Sequence, residues 1–331
     1  MLFRPLPVLL CALLLHGCSD DGGFTNHDAT APPPKDQGPP PDGPAADWLI
    51  QADGTVGPPV ALSLATFNVK DFFDAQDDPA HFDLVLTASE VKSKIVELGQ
   101  ALRQLKADVI ALQEVENKPL LLRLVNEELS TLGYTNVVLI EGNDARGIDV
   151  ALLSRYPVTK ARSHVGDRFK GVDGDTTTYG FSRDCLEATL ALGPGRELIL
   201  LVNHHAATDS ENYQESINRR KAQASRVREI LDGILAAHPQ ANLAVVGDLN
   251  DTPDSRTLEL VRDGSPSLFD VLTLVPSSER YTHAKKSQLD YILLGPGLKA
   301  DLTESSVKAD HSQVFSDTSD HVPVYARFTV K

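Results

Sequence analysis

The sequence predicts a four-layer α/β sandwich, two stacked mixed sheets with helices outside. Three observations predict it. Strands and amphipathic helices recur in both halves of the chain, the strands are apolar and end on polar residues, and no Gly-rich phosphate loop of either standard spacing is present. Residues 62–67 alternate as a strand and run into Asn68, so that side chain sits at a strand end, where active sites are commonly built. Thr87 and Glu90 have capping-box spacing, and Val91, Ile95, Leu98, Leu102 and Leu105 then form one buried helical stripe. Residues 108–114 read as a buried strand ending on Glu114, and 120–132 as a second helix. Closely spaced strands follow at 137–140, 150–153, 186–192 and 198–203, with Arg183 just before the third and His204 just after the fourth. A long helix over 213–237 leads into a buried strand at 243–247, and strands at 291–294 and 322–329 close the chain.

The N-terminus reads differently. Arg4 precedes an apolar run, residues 8–15, too short to span a bilayer and suited to the core of a signal peptide over residues 1–17. Leu15-His16-Gly17-Cys18 resembles a bacterial lipobox, so Cys18 is the expected lipidation site; an ordinary secretory signal cut nearby is the alternative. The chain is expected to be exported and lipid-anchored to the cell envelope, with Ser19 favouring the outer membrane, or else secreted. Residues 18–60 are rich in Pro and Gly and poor in aliphatic side chains, the composition of a disordered tether; a Pro-rich docking peptide is the other reading.

From residue 61 to 331 the composition is globular, roughly 270 residues, enough for one large domain. A monomer is expected. With Cys11 in the leader and Cys18 lipidated, Cys185 has no partner for an internal disulfide. The net charge of −15 opposes broad capture of polyanions, which rests on Lys and Arg, and favours local, metal-assisted binding of phosphate.

The chemistry is concentrated at the strand ends: Asn68, Glu114, His204, Asp248 with Asn250, Asp290, and Asp320 with His321. One such residue is an ordinary turn former. Six endings together point to a site for metal or phosphate. Their segments are Thr66-Phe67-Asn68-Val69, Leu112-Gln113-Glu114-Val115, Ser182-Arg183-Asp184, Asn203-His204, Gly247-Asp248-Leu249-Asn250, Gln288-Leu289-Asp290 and Ser319-Asp320-His321. In this order they resemble the endonuclease/exonuclease/phosphatase family, with its DNase I-like fold, and most of all its bacterial extracellular nucleases.

The resemblance implies a divalent metal, Mg²⁺ or Mn²⁺, held by Glu114 with Asn68 and Asp320. It makes His321 the catalytic histidine oriented by Asp290, Asp248 the group that orients or deprotonates water, and Asn250 a donor to the phosphoryl oxygen. His204 becomes a second histidine at the scissile phosphate, Arg183 a phosphate clamp, and Asp149 a partner for His204. His205 is expected to face solvent, and His164, His283 and His311 to be surface residues without a role. The loop 162–180 reads as a flexible insertion, a groove wall or a structural Ca²⁺ site. Arg146, Arg219, Arg220 and Lys221 are candidate cleft cations, with a solvated helix face as the alternative for the last three. The expected function is phosphodiester hydrolysis by a nuclease on DNA or RNA. A phosphatase or phospholipase-type enzyme is the alternative, although no exposed aromatic hairpin is evident, and a non-catalytic surface-binding protein is a third.

Overall fold

Alternating apolar residues build β1 (Val60–Phe72), and the capping box at Thr87 starts α1 (Ala88–Leu105), with Thr87 Oγ1 accepting from the Glu90 amide. The computed structural model describes residues 57–331; the expected leader, Cys18 and nearly all of the expected tether lie outside the described residues. After β2 (Val109–Val115), Asn117 caps α2 (Lys118–Glu128), and β3 (Asn136–Leu139), β4 (Asp149–Ser154) and β5 (Val158–Arg162) follow. A short hairpin, β6 (Phe169–Lys170) and β7 (Thr178–Tyr179), precedes β8 (Cys185–Gly193) and β9 (Arg196–His204). Then come α3 (Tyr213–Ala237), β10 (Leu243–Asp248), α4 (Arg256–Arg262), β11 (Phe269–Asp270) and β12 (Asp290–Leu294). The chain closes with α5 (Pro296–Ala300), β13 (Leu302–Ala309), α6 (Gln313–Thr318) and β14 (Val324–Val330).

Two six-stranded sheets result, one in the order β13-β14-β1-β2-β4-β3 and the other β11-β12-β10-β9-β8-β5. Both are mixed: β1 is parallel to β2 and antiparallel to β14, while β10 is parallel to β9 and antiparallel to β12. The period-two rule shows why they stack. Leu200, Val202, Val246 and Ile292 point into the core shared with the first sheet, whereas Leu201, Val245 and Leu293 point outward onto Val227 and Leu231 of α3 and Leu258 of α4. Helices α1 and α2 cover the outer face of the first sheet with Ile95, Leu98, Leu102, Leu121 and Leu124.

The first sheet draws on both ends of the domain, because β13 and β14 return to it beside β1. Pairing of Thr66 with Val324 thereby sets the segment just before β14, Asp320 and His321, at the end of β1 where Asn68 lies. The insertion at 162–180 is a structured hairpin packed on α3.

Candidate active site

Strand register alone assembles half of the site. His204 on β9 pairs with Asp248 on β10, and Asp248 pairs with Asp290 on β12, so the three side chains form one row across the second sheet. Gly247 allows this row to form. A Cβ there would stand 1.9 Å from the Asn203 carbonyl oxygen, and its φ of +126° disfavours any other residue.

The facing wall comes from a bulge. The β1–β2 register slips between Asn68 and Phe72, and the β2–β4 register slips between Gln113 and Val115. Lys70, Asp71 and Glu114 adopt positive φ of 52°, 47° and 64°, a conformation costing about 1 kcal/mol or more each. The bulge brings the Glu114 carboxylate to Asn68, while Gln113 pairs in the interior with Thr66. Asn68, fully buried, then ties the walls together: Nδ2 donates to Glu114 Oε1 (3.1 Å) and to Asp248 Oδ2 (3.1 Å), and Oδ1 accepts from the Lys70 amide.

His321 completes the row. Its Nδ1 lies 2.7 Å from Asp290 Oδ2 and its Nε2 lies 3.9 Å from Asp248 Oδ2. Because the Asp290 carboxylate can only accept, Nδ1 carries a proton. Burial disfavours charge on His321, but Asp290, Asp248 and Asp320 outweigh it and raise its pKa to about 10. Asp248 is pushed up to about 7, by burial first and by the neighbouring Asp290 second, against the pull of His321 and the Asn250 and Asn68 hydrogen bonds. One group is thus held as a cation, and its neighbour titrates near neutral pH. His204, 3.6 Å from Asp248 through Nε2, is driven well below the ordinary histidine range by burial and by Arg183 and stays neutral.

Oxygen donors suited to a hard divalent cation converge here. Glu114 has one hydrogen bond to each oxygen, from Asn68 and from the Asp71 amide, and its side chain is 17% exposed toward the cleft, leaving lone pairs and room for water. Glu114 therefore fits such an ion, whereas Asn68 turns its Nδ2 to Glu114 and Asp248 and its Oδ1 to the Lys70 amide. Asp320 turns Oδ2 to Lys70 Nζ at 3.0 Å and to His283 Nε2 at 3.8 Å, on the opposite flank of His321.

Other expected residues are brought in less directly. Asn250, at φ 54°, donates its amide to Asp248 Oδ1 (2.8 Å) and its Nδ2 to the His205 carbonyl (3.1 Å). Arg183 is buried, with Nε 2.8 Å from Asp144 and Nη1 donating to the same carbonyl. Asp149 does not pair with His204: Oδ1 accepts from the Gly142 amide, Oδ2 has no partner, and burial raises its pKa to about 9. His205 faces the interior, not solvent, with both ring nitrogens unpartnered, because the chain turns inward where its amide donates to the Asp248 carbonyl. His164 is also buried, between Asp167 and Glu187.

Of the candidate cations, Arg146 borders the cleft, paired with Asp71 and 4.0 Å from Glu114. Arg219 pairs with Glu215 on the outer helix, Lys221 with Asp173, and Arg220 is a buried brace between Asp251 and the Ala206 carbonyl. The acids of the 162–180 hairpin are likewise engaged, Asp167 by Arg226, Asp173 by Arg256 and Asp175 by Tyr179.

Sequence reasoning missed Lys70 and His283 at the site, and the apolar loop beside it. His283 bridges to His321 with ring centroids 4.8 Å apart. Phe82 is 86% exposed, with Leu84 and Val85 also exposed, and its amide bonds to Ala145 next to Arg146. A lone lysine or histidine gives no periodic signal, and only the bulge and the β14 return bring these together.

A two-sheet sandwich with carboxylates, an amide and a buried His–Asp pair at facing strand ends defines a metal-dependent hydrolase of phosphoester bonds. Residues 63–282 match the model of the Endonuclease/Exonuclease/phosphatase family, and the chain belongs to that family. No curated protein matches the chain by sequence. Among solved structures, truncated Caenorhabditis elegans TDP2 aligns at 18% identity and a TM-score of 0.53 over 81% of this chain and 98% of that one. The human Nocturnin catalytic domain, solved with a bound sulfate anion, aligns at 20% identity and 0.55 over 83% and 96%. An endonuclease/exonuclease/phosphatase from Bacteroides vulgatus aligns at 16% and 0.54 over 82% and 99%. All three share the fold.

Proposed function

We propose that this chain is an exported nuclease, anchored through lipid at Cys18, that hydrolyses phosphodiester bonds of DNA or RNA with Mg²⁺ or Mn²⁺. The observation that carries the reading is the polar row His204–Asp248–Asp290–His321 facing Glu114 and Asn68, with Lys70 and Arg146 on the rim, their side chains 47% and 46% exposed. Glu114 would hold the ion, helped by Asn68 and by Asp320 directly or through water, and the bound ion would supply charge stabilisation at the phosphoryl oxygens.

Asp248, poised near neutral pH, takes a proton from the attacking water. Water oxygen bonds to phosphorus as the P–O bond to the leaving group breaks. His321, held cationic by Asp290, gives its proton to the departing oxygen. Neutral His204 and Asn250 donate to phosphoryl oxygens as charge builds, and Arg183 steadies the phosphate.

The exposed Phe82, Leu84 and Val85 beside Arg146 favour a second reading, a phospholipid substrate met at a membrane surface. The purified chain, assayed with Mg²⁺, Mn²⁺ or EDTA on plasmid DNA, RNA and phospholipid vesicles, separates the two. Nucleic acid cleaved, EDTA inhibition and loss of turnover in His321→Ala are expected. Hydrolysis of vesicles alone selects the second reading, and full activity in His321→Ala refutes the mechanism.

A further inference from the structure

The connection between β3 and β4 brings one cation to the Glu114 side of the cleft. Asp144 sets its turn: Oδ1 accepts from the Arg146 amide (2.9 Å) and the carbonyl accepts from the Gly147 amide (3.0 Å), with Gly147 at a φ of +71°. The Phe82 amide donates to the Ala145 carbonyl (2.7 Å) and ties the turn to the loop after β1. The Arg146 backbone is thus held, while its half-exposed side chain keeps room to turn.

The guanidinium lies over the bulge that carries Asp71 and Glu114. One nitrogen, Nη2, donates to Asp71 Oδ1 and stands 4.0 Å from Glu114 Oε2, and Cζ lies 5.7 Å from the centroid of the Phe73 ring. Glu114 Oε2 also accepts from the Asp71 amide (3.0 Å), so Asp71 meets Glu114 through its backbone and Arg146 through its side chain. Among the described residues Arg146 is the one cation within 4.0 Å of Glu114, because Lys70 serves Asp320 and Arg183 serves Asp144. Two carboxylates therefore share a single nitrogen, and Asp71 takes the direct hydrogen bond. Positive charges served by one carboxylate repel each other well inside the screening length of about 8 Å at physiological salt.

We infer that Arg146 is an internal competitor for the divalent ion at Glu114, and that it turns outward to a substrate phosphate as the carboxylate passes to the ion. The inference rests on Glu114 as the ion's ligand and deepens that reading. A guanidinium suits both berths, because its planar fork pairs with carboxylate and with phosphate oxygens. Arg146 thus weakens binding of the free ion and strengthens binding of the substrate, so ion and substrate assist one another through one side chain.

The test is calorimetric titration of Mn²⁺ into the purified full chain, in wild type, Arg146→Met and Arg146→Gln, which keep an unbranched stem and remove the charge. Each variant is expected to bind Mn²⁺ roughly 5- to 100-fold tighter, and to raise KM for a thymidine oligonucleotide at saturating Mn²⁺ by a similar factor. Arg146→Lys, which keeps the charge, stays near wild type in ion affinity. The gap between wild type and Arg146→Met should narrow as salt rises from about 0.05 to 0.5 M, which a merely structural role would not produce. Unchanged or weaker Mn²⁺ binding in both uncharged variants, with Glu114→Gln still weakening it, overturns the competition and leaves the metal reading standing. Tighter Mn²⁺ binding with an unchanged KM overturns the transfer to phosphate. A wild-type Mn²⁺ affinity indifferent to Glu114→Gln overturns the reading of Glu114 itself.

Discussion

Asp290→Asn keeps the shape of the side chain and removes its charge from two neighbours at once. His321 Nδ1 lies 2.7 Å from Asp290 in a buried setting, and a hydrogen bond to a charged group contributes about 1.5–3 kcal/mol. At about 1.4 kcal/mol per tenfold, its loss lowers proton affinity roughly 10- to 100-fold, moving the alkaline limb of kcat/KM down by about one to two pH from its start near the His321 value of about 10. Asp248 loses a repelling carboxylate, so the acid limb, set by its value of about 7, also moves down. The whole bell should shift to lower pH, and kcat should fall about 10²- to 10⁴-fold because a neutral amide holds and orients the imidazolium less firmly than the carboxylate does. Stability follows the same linkage. The folded value of His321 lies above the ordinary 6.5, so its contribution is fully present below pH 6.5 and lost as pH rises through about 10. Asp290→Asn should therefore cost most stability at acid pH. Rate profiles from pH 5 to 10.5 and urea melts at the same pH values measure both effects. Unmoved limbs, or limbs moving apart, refute the assignment of Asp248 as base and His321 as acid.

Asn68→Ala should act in the opposite direction on the acid limb, because the Asn68 hydrogen bond holds Asp248 down; that limb rises, and urea melts show a loss of about 1–3 kcal/mol from unsatisfied buried acceptors. Glu114→Gln should weaken Mn²⁺ binding by at least about 10- to 100-fold in calorimetric titration while the far-ultraviolet dichroism is unchanged. His205→Leu should stabilise the chain selectively in acid. His205 is held down to about 3, below its ordinary 6.5, so the stability linked to its neutral form is present above pH 6.5 and lost as pH falls. At pH 5 the variant should be about 2 kcal/mol better, relative to wild type, than at pH 8, and equal differences at both pH values refute the burial of a neutral ring.

Period and capping made the layered fold legible from sequence. Val91 to Leu105 could form only one buried helical stripe, and strands such as 243–247, apolar on both faces, required cover on both sides. The same local rules placed Asn68, Glu114, Asp248, Asp290 and His321 at strand ends. Whether those ends meet is a matter of register and strand order, which depend on contacts between distant segments. The return of β14 to β1 brings His321 to Asn68, and the His204–Asp248–Asp290 row follows from two inter-strand pairings. Burial of single polar residues is equally non-local: His205, Asp149 and Arg220 carry no sequence mark that they point inward, and Tyr281, His283 and Lys70 none that they border the cleft. Periodicity thus determined the layers, and the residue types at the strand ends, together with the family resemblance, the type of chemistry. Only tertiary packing, by burying Asp248 beside Asp290 and setting three carboxylates around His321, decided that the first is raised toward neutral pH and the second held as a cation.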